Sequence, residues 1–481
     1  MIAQLYALAP QADSAVWALV IAVLAWVLVR WLLSKLSQKL PPPPYIRGWI
    51  PWFGAAFEMG KGPLEFIEKS REKYGPVFTV LAAGNRLTFV YGEEGISTFF
   101  TSKHVDFQQA VQKPVQYTAS IEKKNFYKNH NAIHDVIKLR LSQNKLHLHM
   151  PCLQGEFCAH LDQFGSEGTG ELYDLVRRVM YPAVVDTLFG KGVCPTGKDT
   201  LKEFEEHFRK FDEGFEYGSQ LPDCFLREWS QSKHWLLNLF KNIVVEAEQK
   251  QPLEENAKTI FQHLLDTLNG NSTYNNSLLL LWASQANANP ITFWTLAFII
   301  SDPVVYRNVV DEITSVFGKP GQCKINITES ELRKLPFIKS CILEAIRLRS
   351  PGAITRKVVQ PLKVYNYQIP PGDMLMLSPY WLHRDPKMFP EPEMFKPERW
   401  KKANLEKNVF LQGFVAFGGG KYQCPGRWFA LMEMQMMVAF MLYKYEFTLL
   451  DPVPKQSNLH LVGTQQPDGP FRVRYKQKKG K

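Results

Sequence analysis

Apolar side chains recur every three to four residues over most of the chain, which predicts amphipathic helices across 63–74, 172–188, 201–211, 229–248 and 259–268. A nearly unbroken apolar run from Leu278 to Ile300 predicts one long buried helix, and Arg427 to Tyr445 a second apolar segment. Punctuation supports these boundaries. Asp302-Pro303 marks a helix start, Thr328-Glu329-Ser330-Glu331 has the capping-box pattern, and Pro336 suits the first turn of a helix that Pro351-Gly352 ends. Two-residue alternation predicts short strands over 77–80 and 87–90 with a glycine turn between them. Beyond Gly352 the texture changes to short β runs, 357–359 and 362–365, among proline-rich loops. The predicted fold is mainly α with a smaller β part.

The N-terminus has a different pattern. Ala15 to Val29 is almost pure hydrocarbon, and Trp31, Leu32 and Leu33 extend it to about the 17 to 20 residues that cross a bilayer. A cleaved signal peptide is the competing reading, but no small-residue cleavage pattern follows and no positive charge precedes the run. Arg30, Lys35, Lys39 and Arg47 lie C-terminal to it and Asp13 N-terminal, which orients the bulk of the chain to the cytosol. Three acceptor patterns for glycosylation, at Asn271, Asn275 and Asn326, then fall in the wrong compartment. Pro41 to Pro44 reads as a stiff spacer. The division expected is a membrane anchor over 1–40, a proline hinge over 41–48 and one large domain over 49–481.

Composition narrows the class. In 481 residues, 45% hydrophobic, there is ample material for a large core. The net charge of +11 raises a nucleic-acid reading, but Lys and Arg are scattered among acids, so no nucleic-acid partner is expected. Attraction to anionic lipid or an acidic protein fits better. Seven cysteines without CxxC pairing exclude a disulfide framework and a structural zinc site.

One cysteine has unusual surroundings. In Phe417-Gly-Gly-Gly-Lys-Tyr-Gln-Cys424-Pro-Gly426 the thiol sits just before a helix, where unpaired N–H groups and the helix dipole favour thiolate. Gly418, Gly419, Gly420 and Gly426 let the backbone approach something flat. A structural cysteine, a nucleophile and an axial haem ligand all remain open from this stretch alone.

The pattern Phe417-x-x-Gly420-x-x-x-Cys424-x-Gly426 resembles the haem-binding signature of the cytochrome P450 monooxygenases. Glu344-Ala-Ile-Arg347 is similar to the family's E-x-x-R pair, and Pro397-Glu-Arg399-Trp400 to the segment whose arginine joins it. His383-Arg-Asp-Pro386 resembles the connecting loop. The resemblance implies haem b bound through Cys424, with Phe417, Gly420 and Gly426 in its loop. It further implies a buried network of Glu344, Arg347 and Arg399, and electrons drawn from NADPH through a separate reductase. Lys396, Lys401, Lys402, Lys407 and Lys421 are candidates to receive that reductase. The anchor resembles those of the endoplasmic-reticulum members, implying a single-pass protein whose catalytic domain, 49–481, faces the cytosol.

Departures from the family pattern refine this. The central helix carries Ala286-Asn287-Ala288-Asn289-Pro290 where an acid and a threonine usually deliver protons. Pro290 should kink that helix and free the Ala286 carbonyl. Helical geometry puts Ala283, Ala286, Asn287 and Pro290 on one face, and proton delivery is assigned to Asn287, Asn289, water or a substrate hydroxyl. This arrangement resembles the branch of sterol 7α-hydroxylases, the sterol 12α-hydroxylase and prostacyclin synthase. Longer stretches, such as GWIPWFGAAFEMGKGPLEFIEKSREKYGPVFTV, resemble the oxysterol 7α-hydroxylases of bile-acid synthesis, with 24-hydroxycholesterol as the implied substrate. A reductase-independent isomerase and a non-catalytic sterol-binding haem protein are the alternatives. Tyr422 stands where a cation usually meets a haem propionate, and a Trp-x-x-x-Arg helix is missing. Arg356 matches a common propionate partner, with Lys138 and Arg140 as further candidates. His130 and His134, four apart, invite a metal reading but lack a third ligand.

Overall fold

Proline decides the course of the central helices. A computed structural model describes residues 18–29, 40–249, 254–270, 272–320, 325–405, 409–458 and 463–478. Instead of the single helix expected over 278–300 there are two, Thr273–Gln285 and Ala288–Ser301, with Ala286 and Asn287 at the junction. Pro290 therefore lies in a first turn, where a missing N–H breaks no intrahelical bond. The kink is a helix end and a new start. Both halves are buried, but Ala283 is exposed.

Around them pack Leu172–Phe189, Pro336–Arg349 and Arg427–Lys444. The last has buried side chains all round, from Phe429 to Tyr443, as an interior helix must. One continuous cluster of buried side chains joins these helices. A six-stranded sheet lies to one side, in the order Tyr45–Ile46, Val77–Ala82, Asn85–Val90, Met374–Leu377, Ile354–Val358, Val105–Asp106. A three-stranded antiparallel sheet brings Glu167–Glu171 and Tyr445–Leu449 against Arg472–Gln477.

Several expectations need correction. Residues 41–48 do not stand clear as a spacer: Tyr45 and Ile46 pair with Thr79 and Val80, Pro41 accepts from Gln368 N–H, and Pro44 from Thr79 N–H. Phe107–Ala119 is a helix, started by the Asp106 side chain accepting from Gln109 N–H at 2.9 Å. Among the described residues no single helix is long and apolar enough to cross a membrane. Among the described residues the N-terminal apolar helix is Ala18–Val29, and Trp31 to Leu33, like Asn271 and Lys407, lie outside them.

A half-buried carboxylate ties three segments together. Asp212, on Leu201–Glu213, accepts from Trp282 Nε1 at 3.0 Å and Gln466 Nε2 at 2.8 Å. Burial pushes its pKa from 3.8 up to about 7, against the pull of those donors and Arg177. Because the folded value lies above the ordinary one, the stabilisation is complete below about 3.8 and is lost as pH rises through about 7. Asp212→Asn removes this dependence, so the stability of the variant relative to the original chain is expected to climb between pH 4 and 8 in thermal melts. A flat difference across that range would contradict the assignment.

Candidate active site

The loop that carries Cys424 is shaped by its backbone. Gly418 and Gly420 have φ of +70° and +66°, in the left-handed region that glycine occupies without strain. At Gly419 a Cβ would meet the Phe100 ring at 3.1 Å. Gly426 has no such constraint within the chain: its nearest neighbour would be Leu141 at 3.9 Å. Cys424 N–H donates to the Phe417 carbonyl at 2.8 Å, closing the loop, and Arg427–Lys444 begins three residues after the cysteine. The Phe417 ring joins Phe410 and Phe414. The Cys424 thiol is accessible, yet enough polypeptide surrounds it that burial raises its pKa above the ordinary value. Backbone N–H groups of Gly426 and Arg427 and the Arg427 charge act in the opposite, thiolate-favouring direction. Burial is the largest of these effects, and the expected pull of the helix start toward thiolate is present and opposes it.

Behind this loop lies a fully buried ion pair. Glu344 accepts from Arg347 Nε at 3.0 Å and Nη2 at 2.8 Å, from Arg399 Nε at 2.8 Å, Trp400 Nε1 at 3.0 Å and Lys396 N–H at 3.0 Å. Arg347 also donates to the carbonyls of His383, Pro392 and Met394. His383 completes the connection, since its Nε2 accepts from Val415 N–H at 3.1 Å, nine positions before the cysteine. Burial, with the charges of Arg347 and Arg384, holds His383 down to about 3, so the ring is neutral with its proton on Nδ1. Sequence reasoning found Glu344, Arg347 and Arg399 but not the parts played by His383 and Trp400.

On the other side of the loop, Tyr422 stacks on Phe107 at 4.6 Å and lies 5.9 Å from His130 and 6.0 Å from His134. The guanidinium of Arg356 sits 4.9 Å over Phe107 and is 6% exposed. Arg140 is elsewhere: it pairs with Glu255 and lines, with His263, a cleft of about 250 Å³ that contains none of these residues. Lys138 is exposed and has no recorded partner. Asn287 turns its Oδ1 to Thr464, accepting from N–H at 3.1 Å and Oγ1 at 3.2 Å. Asn289 is buried; its amide nitrogen donates to Gln285 Oε1 at 3.0 Å, and its Oδ1 has no partner among the described residues. The two histidines gather no third ligand, and among the described residues no metal-binding cluster occurs.

The family model for cytochrome P450 matches residues 41–473. The chain belongs to the cytochrome P450 family. The 24-hydroxycholesterol 7-alpha-hydroxylase of Homo sapiens is 52% identical over 95% of this chain and 98% of its own length. That of Mus musculus is 52% identical over 94% and 96%. The 7-alpha-hydroxycholest-4-en-3-one 12-alpha-hydroxylase of Oryctolagus cuniculus is 30% identical over 96% and 99%. The retinoic acid-bound cyanobacterial CYP120A1 has the same fold, with a TM-score of 0.75 and 20% identity, over 92% of this chain and 100% of that one.

As a P450 the protein is a haem monooxygenase with cysteine thiolate ligation and a separate reductase. The residues present fit that cofactor. An accessible sulfur lies on a loop shaped by glycines, and two buried ring nitrogens without partners, the Nε2 atoms of His130 and His134, lie beside Tyr422 two residues before it. Arg347→Met removes one of the two cations that satisfy buried Glu344 and leaves three carbonyls short of a donor. It is expected to cost about 3 to 5 kcal/mol in urea denaturation, whereas a loss near that of an exposed pair, under about 1 kcal/mol, would contradict the network.

Proposed function

We propose that this chain hydroxylates a cholesterol bearing a side-chain hydroxyl, 24-hydroxycholesterol first, at the 7α position in cholesterol catabolism and bile-acid synthesis. The observation that carries the proposal is 52% identity over nearly the whole length of two relatives with that printed activity. Cys424 is the thiolate that holds the haem iron, in the loop of Phe417, Gly420 and Gly426. Bound haem supplies the oxygen chemistry, and a thiolate ligand favours O–O cleavage. The chain's task is to orient the sterol, exclude water and manage protons.

Asn287 is the proton-handling residue in this reading. Its carbonyl oxygen is fixed by Thr464, whose hydroxyl lies 3.2 Å from that of Ser350, so an amide and two hydroxyls form a connected polar path. Pro290 keeps the helix start beside Asn287. Two electrons arrive from NADPH through the reductase, received by the lysines near the ligand loop. Anchoring in the endoplasmic-reticulum membrane, catalytic domain to the cytosol, is supported by the apolar helix Ala18–Val29 and by exposed Trp49, Trp52, Phe53 and Phe57 near it in sequence. Anchor over 1–40, junction over 41–48 and catalytic body over 49–481 remain the proposed division.

Membranes containing the protein, reductase and NADPH should convert 24-hydroxycholesterol to its 7α-hydroxylated product, identified by mass spectrometry and comparison with a standard. Binding without turnover, or rearrangement of a hydroperoxide with no NADPH requirement, would overturn the proposal.

A further inference from the structure

The cluster around Tyr422 holds a buried arginine with no ion pair among the described residues and two buried imidazole nitrogens without hydrogen-bond partners. Arg356 is buried with one hydrogen bond, from Nη1 to the Thr355 carbonyl at 2.8 Å, and makes no ion pair among the described residues. Its ring neighbours are Phe99 and Phe107, each 4.9 Å from the guanidinium carbon. Lys421 Nζ lies 5.3 Å from the Tyr422 ring. His130 and His134 both approach Tyr422, and the Nε2 of each is buried without a partner. Of the acids nearby, Asp135 is exposed and lies 3.5 Å from His134 Nδ1, the other side of that ring, while Asp106 is committed to capping the helix Phe107–Ala119.

A buried guanidinium without an ion pair and buried ring nitrogens without partners are costly unless a further group completes them, and a carboxylate can accept from both kinds. The two imidazoles are one helical turn apart and so share a face of Lys123–Arg140. They address the same phenol, which stands two residues before Cys424. We propose that His130 and His134, with Arg356 and Tyr422, form the pocket for the two propionate carboxylates of the haem. This rests on the haem-thiolate reading and adds to it a residue set peculiar to this chain. The arrangement also explains how a helix without tryptophan or arginine at the expected spacing still serves the cofactor. Burial, with the charges of His134 and Lys421, holds His130 down to about 4, and a carboxylate opposite Nε2 would relieve that. Lys138 and Arg140 are then not required, in keeping with the pairing of Arg140 to Glu255.

The test uses the full-length holoprotein and two readouts other than activity: haem transfer to excess apomyoglobin, and the propionate bands in resonance Raman spectra. The variant His130→Leu/His134→Leu is expected to lose haem about 10- to 100-fold faster, the range for lost hydrogen bonds to a charged group, with displaced propionate bands. His130→Gln/His134→Gln, which keeps an N–H donor at each position, should recover most of that loss. If the leucine variant fails to fold by circular dichroism, the glutamine variant and Arg356→Gln carry the test through the same Raman bands. Unchanged haem loss and unmoved bands, in protein whose ferrous carbon monoxide complex has the thiolate signature, would overturn the propionate assignment alone. Absence of that signature from the original chain would overturn the haem-thiolate reading and this assignment with it.

Discussion

Glu344 is a carboxylate with no solvent access, and the architecture behind the ligand loop depends on how its charge is satisfied. Five hydrogen bonds reach it from four residues, two of them arginines. Such a group is expensive to bury and more expensive to strand, so its value lies in specificity. Only one relative placement of the helix Pro336–Arg349 and the segment 396–400 satisfies it. Arg347 extends that placement to the His383 carbonyl, and His383 passes it to Val415. The position of a sulfur is thus fixed by a charge in another segment of the chain.

This division of labour explains which features were readable along the chain. Glu344 and Arg347 are one turn apart on one helix, and the glycines around Cys424 answer local backbone demands, so both declare themselves in short windows. The helix Phe107–Ala119 escaped notice because Pro114 and five glutamines and lysines blur its period, although Asp106 followed by Gln109 was a usable start signal. Asn289 and Arg140 could not be placed without tertiary structure. Only packing decides that one amide turns to Gln285 and one guanidinium to Glu255. The long central helix was found, but its break was misjudged as a kink, since Pro290 fits a helix start as readily as it deforms a helix interior.

The two flanks of the Cys424 loop are electrostatically different. On one, every charge is matched, from Glu344 to the neutral imidazole of His383. On the other, Arg356 is buried without an ion pair among the described residues, and His130 and His134 each keep a buried ring nitrogen without a partner. The first flank gives rigidity, and the second is where the proposed propionate pocket would receive the carboxylate arms of the haem. Asn287, held to Thr464, sits where the central helices break, and in the proposed function this amide takes the place of the usual acid and alcohol in handling protons.

The account therefore stands on Cys424 as the group that binds iron. The ferrous carbon monoxide spectrum of the purified protein tests this most directly. The red-shifted band of a thiolate complex should be present in the original chain and absent from Cys424→Ser. A thiolate band that survives the substitution, or purified protein that carries no haem at all, would contradict it.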